Sequence, residues 1–214
     1  VAVHNTILEG VDTSSYQGAV NWKAVHQQGR KDFAVIKATE ALDIVDPELQ
    51  QSWNECKDAG MIRLAYHFFY DHLDPIRQAD FFHEAVKNAG RFVTGDGVVI
   101  DVEETSISDA STALGYIIAF VERCRVQINK KVLIYTNADT WKNILGNPMD
   151  NRLSNQPLWL ANLSAGVPYI RQWPKGPSMV QYSFHGHCPG INAEVDLDRF
   201  YGNRAQLQLL LKHV

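Results

Sequence analysis

Apolar residues recur along the chain in short, β-branched runs, and between the runs the apolar spacing turns helical. Strand-like runs cover residues 11–18 (running into a loop), 33–40, 62–70, 97–104, 131–136, 157–161, 178–183 and 194–198. Helical stretches lie between most of them. One spans 21–28 and closes on Gly29. A second has Asp46 as cap, Pro47 at its first position and Gly60 past its end. A third opens at Asp74-Pro75 and stops at Gly90. Further helices are predicted from about Ser108 to Asn129, over 139–145, and at the end of the chain over 205–212, or about 203–213 at its widest. The segment holding Pro168, Trp173, Pro174 and Pro177 carries no helical pattern. Eight strands with mostly helical crossovers predict an α/β fold. The expected form is a single-domain, irregular (β/α) TIM-like barrel over residues 1–214, with some helices shortened or missing. At 214 residues the chain is short for such a barrel, which typically needs about 250. A doubly wound open sheet is the alternative, but neither the glycine-rich dinucleotide turn nor a phosphate loop is present.

The fourth run, Gly97-Val98-Val99-Ile100-Asp101-Val102-Glu103-Glu104, departs from the others. Its apolar half reads as a strand buried on both faces, yet it ends in acids. A carboxylate taken out of water costs several kcal/mol unless it is paired or hydrated. Side chains alternate along a strand, so Asp101 and Glu103 share one face at its C-terminal tip. In parallel α/β architectures that is the end at which sites are built. Other acids fall at corresponding places: Asp12 after the first strand, Glu40 after the second, and Asp196 and Asp198 on the last. Closure of a barrel makes the first and last strands neighbours and brings Asp12 near Asp196. Any one of these acids can be explained by a helix cap or by a pair with Lys37, Arg63 or Arg199. The set as a whole repels itself unless a site uses the raised pKa values that result. Aromatics gather on the same strands: Tyr16, Tyr66, Phe68, Tyr70, Tyr135, Trp159 and Tyr182. Acids with aromatic rings suit flat, hydroxylated sugars.

Composition narrows the partners. The net charge is −4 with both signs interspersed, which gives no polybasic tract for nucleic acid or anionic lipid. No apolar run approaches the roughly 18–20 residues that span a bilayer. Residues 1–9 lack a charged start and apolar core, so no signal peptide is legible there. Three cysteines make no disulfide framework, and Cys56 and Cys124 fall in step with apolar helix positions. The loop His185-Gly186-His187-Cys188 has metal-ligating residue types but no second ligand cluster to complete a site.

Three segments in order, Asp12-Thr13-Ser14-Ser15-Tyr16-Gln17-Gly18, Val35-Ile36-Lys37-Ala38-Thr39-Glu40 and Tyr66-His67-Phe68, resemble the family 25 glycoside hydrolases, the Chalaropsis-type lysozymes. Asp101-Val102-Glu103 is similar to that family's Asp-x-Glu signature, and Val195-Asp196-Leu197 to its closing aspartate motif. The similarity covers about residues 11–200. Two positions depart from the pattern. Ala41 stands where a glycine commonly follows Lys-x-Thr-Glu, which bears on a turn. Asp198 stands where an asparagine is common, which adds an acid near the site.

The resemblance implies N-acetylmuramidase activity on bacterial peptidoglycan. It makes Glu103 the general acid, with Asp101, Asp12 and Asp196 as the other catalytic carboxylates. Tyr66, Phe68, Tyr135, Trp159, Tyr182 and Asp198 are the expected substrate-binding residues. It further implies a retaining reaction in which the sugar's own acetamido group is the nucleophile. Carboxyl separations of about 5–5.5 Å accompany a retaining nucleophile and about 6.5–9.5 Å an inverting base, and sequence alone leaves that separation open. No cofactor and no metal are called for. The expected protein is a monomer acting outside the cell, secreted or released at lysis if phage-encoded, without nucleic-acid or membrane partners. A catalytically silent glycan-binding module and a chitinase-like barrel hydrolase are the competing readings. The first is disfavoured because every acid is present. The second is disfavoured because Val98-Val99-Ile100 replaces the aspartates that precede a chitinase glutamate.

Overall fold

A computed structural model of the chain describes residues 6–103, 105–106 and 109–212. Residues 1–5, Glu104, Ile107, Ser108, His213 and Val214 lie outside the described residues, so the reading of residues 1–9, the end of the 97–104 strand and the outer ends of the helices expected from about Ser108 and to about 213 fall partly there. The strands are β1 (Ile7–Thr13), β2 (Phe33–Glu40), β3 (Ile44–Val45), β4 (Ile62–Phe68), β5 (Gly97–Val102), β6 (Val132–Asn137), β7 (Leu158–Ala161), β8 (Met179–Gly186) and β9 (Val195–Tyr201). Eight of them close in the order β1-β9-β8-β7-β6-β5-β4-β2, and β2 pairs back onto β1. The remaining strand, β3, is a two-residue antiparallel addition to the end of β2. Its turn begins at Ala41, which sits at φ 53° in the left-handed region where glycine carries no steric penalty.

The closure is mixed rather than all parallel. β9 runs antiparallel to both β1 and β8. The cause is connection length: a parallel return needs a crossover of a dozen or so residues, and eight separate Gly186 from Val195. Consequently Asp196 lies at the start of its strand and still reaches the rim formed by the C-terminal ends of the others. Asp12 and Asp196 are direct cross-strand partners, as closure of the first and last strands required.

Helices cover one side of the barrel. They are α1 (Trp22–Gln27), α2 (Leu49–Asp58), α3 (Pro75–Ala89) and α4 (Ala110–Ile128). Asp74 caps α3 through the amides of Ile76 and Arg77, with Pro75 at its first turn. Asp109 caps α4 and left-handed Asn129 ends it. Asp46 differs from expectation. α2 starts only at Leu49, and the Asp46 carboxylate instead accepts from the amides of Glu48 and Ser15, tying the β1 loop to the head of this helix. After β6 the expected short helix is a π turn, Thr140–Ile144, and the proline-rich segment before β8 has no helix. On the wall β8-β9-β1, Val11 and Val195 join the outer core together with Trp22 and Val25 of α1. Elsewhere its outer face carries polar contacts: Tyr182 and Arg199 both donate to Glu9, at 2.7 and 2.8 Å, and the Arg199 guanidinium lies 3.9 Å from the Tyr182 ring centroid. Among the described residues no helix is long and apolar enough to cross a membrane.

Two apolar layers follow from strand alternation. Val98, Ile100 and Val102 face outward to the helices, while Val99 joins Leu8, Phe33, Val35, Leu64, Leu133 and Met179 inside the barrel. The last helix, α5 (Arg204–Leu210), closes the floor with Leu207, and Leu211 follows it there. The absence of a side chain at Gly97 makes room, since a Cβ there would stand 2.7 Å from Leu211 Cδ2. Near the same end Arg63, 1% exposed, donates to both oxygens of Asp96 at 3.0 and 2.9 Å, to the carbonyls of Trp53 and Arg91, and stacks on Trp53. Removing one partner of a buried pair strands a charge. Asp96→Ala is therefore expected to lower stability by about 3–5 kcal/mol. Glu84→Ala, which breaks the exposed pair with Lys87, should change it by less than about 1 kcal/mol. Urea denaturation of the two variants checks the contrast, and equal losses would contradict it.

Candidate active site

The rim at the C-terminal ends of β2, β4, β5, β6 and β7 holds a cavity of about 200 Å³, and its acidic lining is Asp12, Asp101, Glu103 and Asp196. A second depression of about 280 Å³ shares Asp12, Tyr66 and Asp196 with it and runs out toward Tyr16, Phe184 and His185. Together they form one cleft across the top of the barrel.

Strand register builds the floor. Phe68, Asp101, Tyr135 and Trp159 are successive Cα partners across β4, β5, β6 and β7, so the acid of β5 is flanked by aromatic rings on a single level. Tyr135 and Trp159 pack with ring centroids 4.4 Å apart. Asp101 is buried and Oδ1 has no hydrogen-bonding partner. Two residues on, Glu103 stands at the mouth on the same face and is hydrogen-bonded with Tyr135. On the opposite wall Gln181 Nε2 donates to Asp12 Oδ2 at 2.7 Å and to Asp196 Oδ2 at 3.1 Å. Its Oε1 accepts from the Tyr135 hydroxyl at 2.6 Å. The two carboxyls fix which way the amide points. Its oxygen must then face Tyr135, whose one proton is committed there.

Burial and mutual repulsion perturb these acids in one direction. Asp101 is pushed well above its ordinary value by desolvation, then by Glu103 and Asp12. Asp12 rises through desolvation and the charge of Asp196, and the Gln181 hydrogen bond only partly offsets this. Asp196 rises to about 6 from desolvation and Glu103. Desolvation also raises the hydroxyls of Tyr66 and Tyr135. Glu40 behaves otherwise. Burial opposes its charge, but hydrogen bonds from Lys37 (2.6 Å) and Tyr70 (3.0 Å) outweigh that and hold it below its ordinary value.

The structure thus assembles Asp12, Asp101, Glu103, Asp196, Tyr66, Phe68, Tyr135 and Trp159 around one cavity. Asp198 is near but wholly buried beneath it, accepting from Trp159 Nε1 at 2.9 Å. Tyr182 is not brought in. It follows Gln181 on β8 and points to the outer wall, where it donates to Glu9. Two lining residues, Lys37 and Gln181, were absent from the expected site, although strand parity with Met179 marks Gln181 as inward-facing. His67, inside the Tyr-His-Phe segment, faces away from the cleft. It is held between Thr39 and Gln78, stacks on Phe120, and burial lowers its pKa to about 4. In the His-Gly-His-Cys loop, His185 pairs with Glu194 and Cys188 is a buried free thiol. Among the described residues no group of three or more His, Cys, Asp or Glu is placed to hold a metal ion.

A closed barrel whose rim gathers carboxyls between aromatic walls has the make-up of a glycoside hydrolase site. The comparisons agree. The sequence model described as Glycosyl hydrolases family 25 matches residues 11–191. The chain is 29% identical over 213 residues to Lysozyme M1 of Streptomyces globisporus, covering 95% of this chain and 71% of that one. It is 28% identical over 211 residues to the N,O-diacetylmuramidase of Chalaropsis sp, covering 88% and 96%. Its fold superposes on the crystal structure of a bacterial lysozyme from Streptomyces coelicolor with TM-score 0.85 at 27% identity, over 95% and 96% of the two chains. A family GH25 lysozyme from Aspergillus fumigatus gives 0.83 at 27% identity, over 97% and 100%. This chain belongs to glycosyl hydrolases family 25.

The raised acids carry a stability consequence. Each binds its proton more tightly folded than unfolded, so between the ordinary and the raised value the folded state holds more protons, and unfolding free energy falls as pH rises. Glu9 and Glu40, held below 4.5, act in the opposite sense beneath that value, and His67, lowered to about 4, does so up to about 6.5, a single group set against the several raised aspartates. Urea midpoints are therefore expected to decline from about pH 5 toward neutrality. Asp196→Asn should flatten the part of the decline that ends near 6. A wild-type midpoint that climbs over this range, or a variant with an unchanged slope, would contradict the assignment.

Proposed function

We propose that this glycoside hydrolase is a peptidoglycan muramidase that cleaves the β-1,4 bond between N-acetylmuramic acid and N-acetylglucosamine, with Glu103 as general acid. The observation that carries the reading is the stacked pair on β5: Asp101 buried among aromatic rings, Glu103 above it at the mouth of the same cavity. The relatives named as lysozymes and as an N,O-diacetylmuramidase support the same substrate.

In this mechanism the Glu103 carboxyl gives its proton to the glycosidic oxygen as the bond to C1 breaks. The neighbouring carboxyls of Asp101 and Asp196 repel its charge and favour the acid form that this step needs. The carbonyl oxygen of the substrate's own 2-acetamido group attacks C1, forming an oxazolinium ion and no covalent bond to the protein. Asp101 is costly as an anion while the cleft is empty, so it gains most when positive charge develops beside it. Water then opens the ring, giving its proton to the Glu103 carboxylate, and the configuration at C1 is retained. Tyr66, Phe68, Tyr135 and Trp159 supply the apolar walls for the pyranose rings. Asp12 and Asp196, bridged by Gln181, face the substrate from the opposite side. The enzyme acts as a monomer on the wall outside the cell, after secretion or after release at lysis.

Peptidoglycan digested with wild type and with Glu103→Gln, reduced with borohydride and read by mass spectrometry, tests this. Wild type should yield reduced muramic acid, and the variant should bind wall fragments but lose at least about a hundredfold in rate, the low end for a general acid. Reduced glucosamine would assign a glucosaminidase. Retention on the wall without cleavage by wild type would leave a binding module.

A further inference from the structure

Asp198 is the least accountable group in the molecule. It is 0% exposed, one step deeper in the barrel than Asp196, and its Cα partners are Gly10 on β1 and Gln181 on β8. One carboxyl oxygen is satisfied, since Trp159 Nε1 donates to Oδ1 at 2.9 Å. The other, Oδ2, has no protein donor. Across the β1–β9 register its diagonal neighbour on the same inward face is Asp12, and the two carboxyls interact. Asp12 in turn uses Oδ2 to accept from Gln181. Two ionised carboxylates have only acceptors to offer each other, so contact without water between them requires a proton. An unpaired buried charge on Asp198 costs several kcal/mol, and a second charge on Asp12 adds repulsion at short range.

We propose that Asp198 and Asp12 hold one proton between them, which makes Asp198 a neutral positioning residue that anchors the Trp159 ring through one oxygen and fixes the Asp12 carboxyl through the other. The pair then carries a single negative charge, borne mainly on Asp12, where Gln181 solvates it. The groups facing the pair are the indole of Trp159 from β7, the Gln181 amide from β8 (with Tyr182 of that strand interacting from the outer wall), Asp196 from β9, the hydroxyls of Tyr66 from β4 and Tyr135 from β6, and Asp101 and Glu103 across the cavity from β5. None of these acids favours a second negative charge, and the direction in which desolvation and Asp12 drive Asp198, well upward, agrees. The pair sets an upper pH limit on an ordered cleft. When its proton leaves, Trp159 and Asp12 are released together. An asparagine at 198 would present the same two contacts, amide oxygen to Trp159 and amide N–H to Asp12, with no proton to lose.

The test does not depend on the substrate being peptidoglycan, because its first readout is the resting protein. Infrared difference spectra near neutral pH should show a protonated-carboxyl band in wild type that is lost in both Asp198→Asn and Asp12→Asn, each of which supplies an amide N–H in place of the shared proton. Asp101→Asn, whose carboxyl is also raised, serves as control and should leave that band in place. The second readout is the pH profile of kcat/KM on cell walls for Asp198→Asn. Its alkaline limb should move upward by about one pH unit or more, a tenfold change in proton activity. A band that persists unchanged in both variants, or an unmoved alkaline limb in a folded Asp198→Asn enzyme, overturns the proposal.

Discussion

Placing several carboxyl groups where water is scarce is the constraint around which this protein is arranged. Three aspartates, Asp12, Asp101 and Asp198, are nine-tenths or more buried, and each is driven toward its protonated form. A barrel tolerates this only because the rest of it is apolar. Below the acids, the interior passes through Phe33, Val35, Leu64, Val99, Leu133 and Met179 to a floor closed by α5. Helix packing buries the opposite faces of β2, β4, β5 and β6. The stability gained by those layers offsets the electrostatic penalty concentrated at the rim.

The polar groups that share the rim limit how far that penalty spreads. Lys37 is paired with Glu40, so it neutralises the acid beside Phe68 at the end of β2, and the other acids stay raised. Gln181 contributes two donors to the Asp12–Asp196 side and an acceptor to Tyr135. A single neutral side chain thereby links the two acidic walls without cancelling the charge of either. A lysine in its place would bring the acids back into the ordinary carboxylate range. General-acid chemistry near neutral pH needs the opposite.

Much of this was legible in the chain. The period of two in 97–103 put Asp101 and Glu103 on one face, and the cap at Asp74-Pro75 and the stop at Gly90 fixed α3. Closure of first strand on last brought Asp12 against Asp196. What escaped has physical reasons. The reversed direction of β9 depends on the length of the β8–β9 connection, which local periodicity does not register. Tyr182 was read as a rim aromatic by residue type, when its parity relative to Gln181 and Met179 sends it to the outer wall beside Arg199. Asp46 looked like a cap from its proline neighbour, but its carboxylate is recruited by Ser15, 31 positions earlier, a contact only the fold creates. Glutamine carries no charge to flag it, so Gln181 stayed silent until its partners were in place.

Strand direction also explains why the two acidic motifs differ in depth. β5 runs toward the rim, so in Asp101-Val102-Glu103 the first acid is the deeper and the second stands at the mouth. β9 runs away from the rim, so in Asp196-Leu197-Asp198 the order inverts: the first acid lines the cleft and the second lies sealed beneath Trp159. The two sequences look alike, an acid, an aliphatic residue and an acid, but they place their outer members, Glu103 and Asp196, facing each other across the cavity. Their inner members, Asp101 and Asp198, lie below. The cavity is therefore lined by the outer pair, by Asp12 and by Asp101 at its floor, whereas Asp198 is sealed off from it.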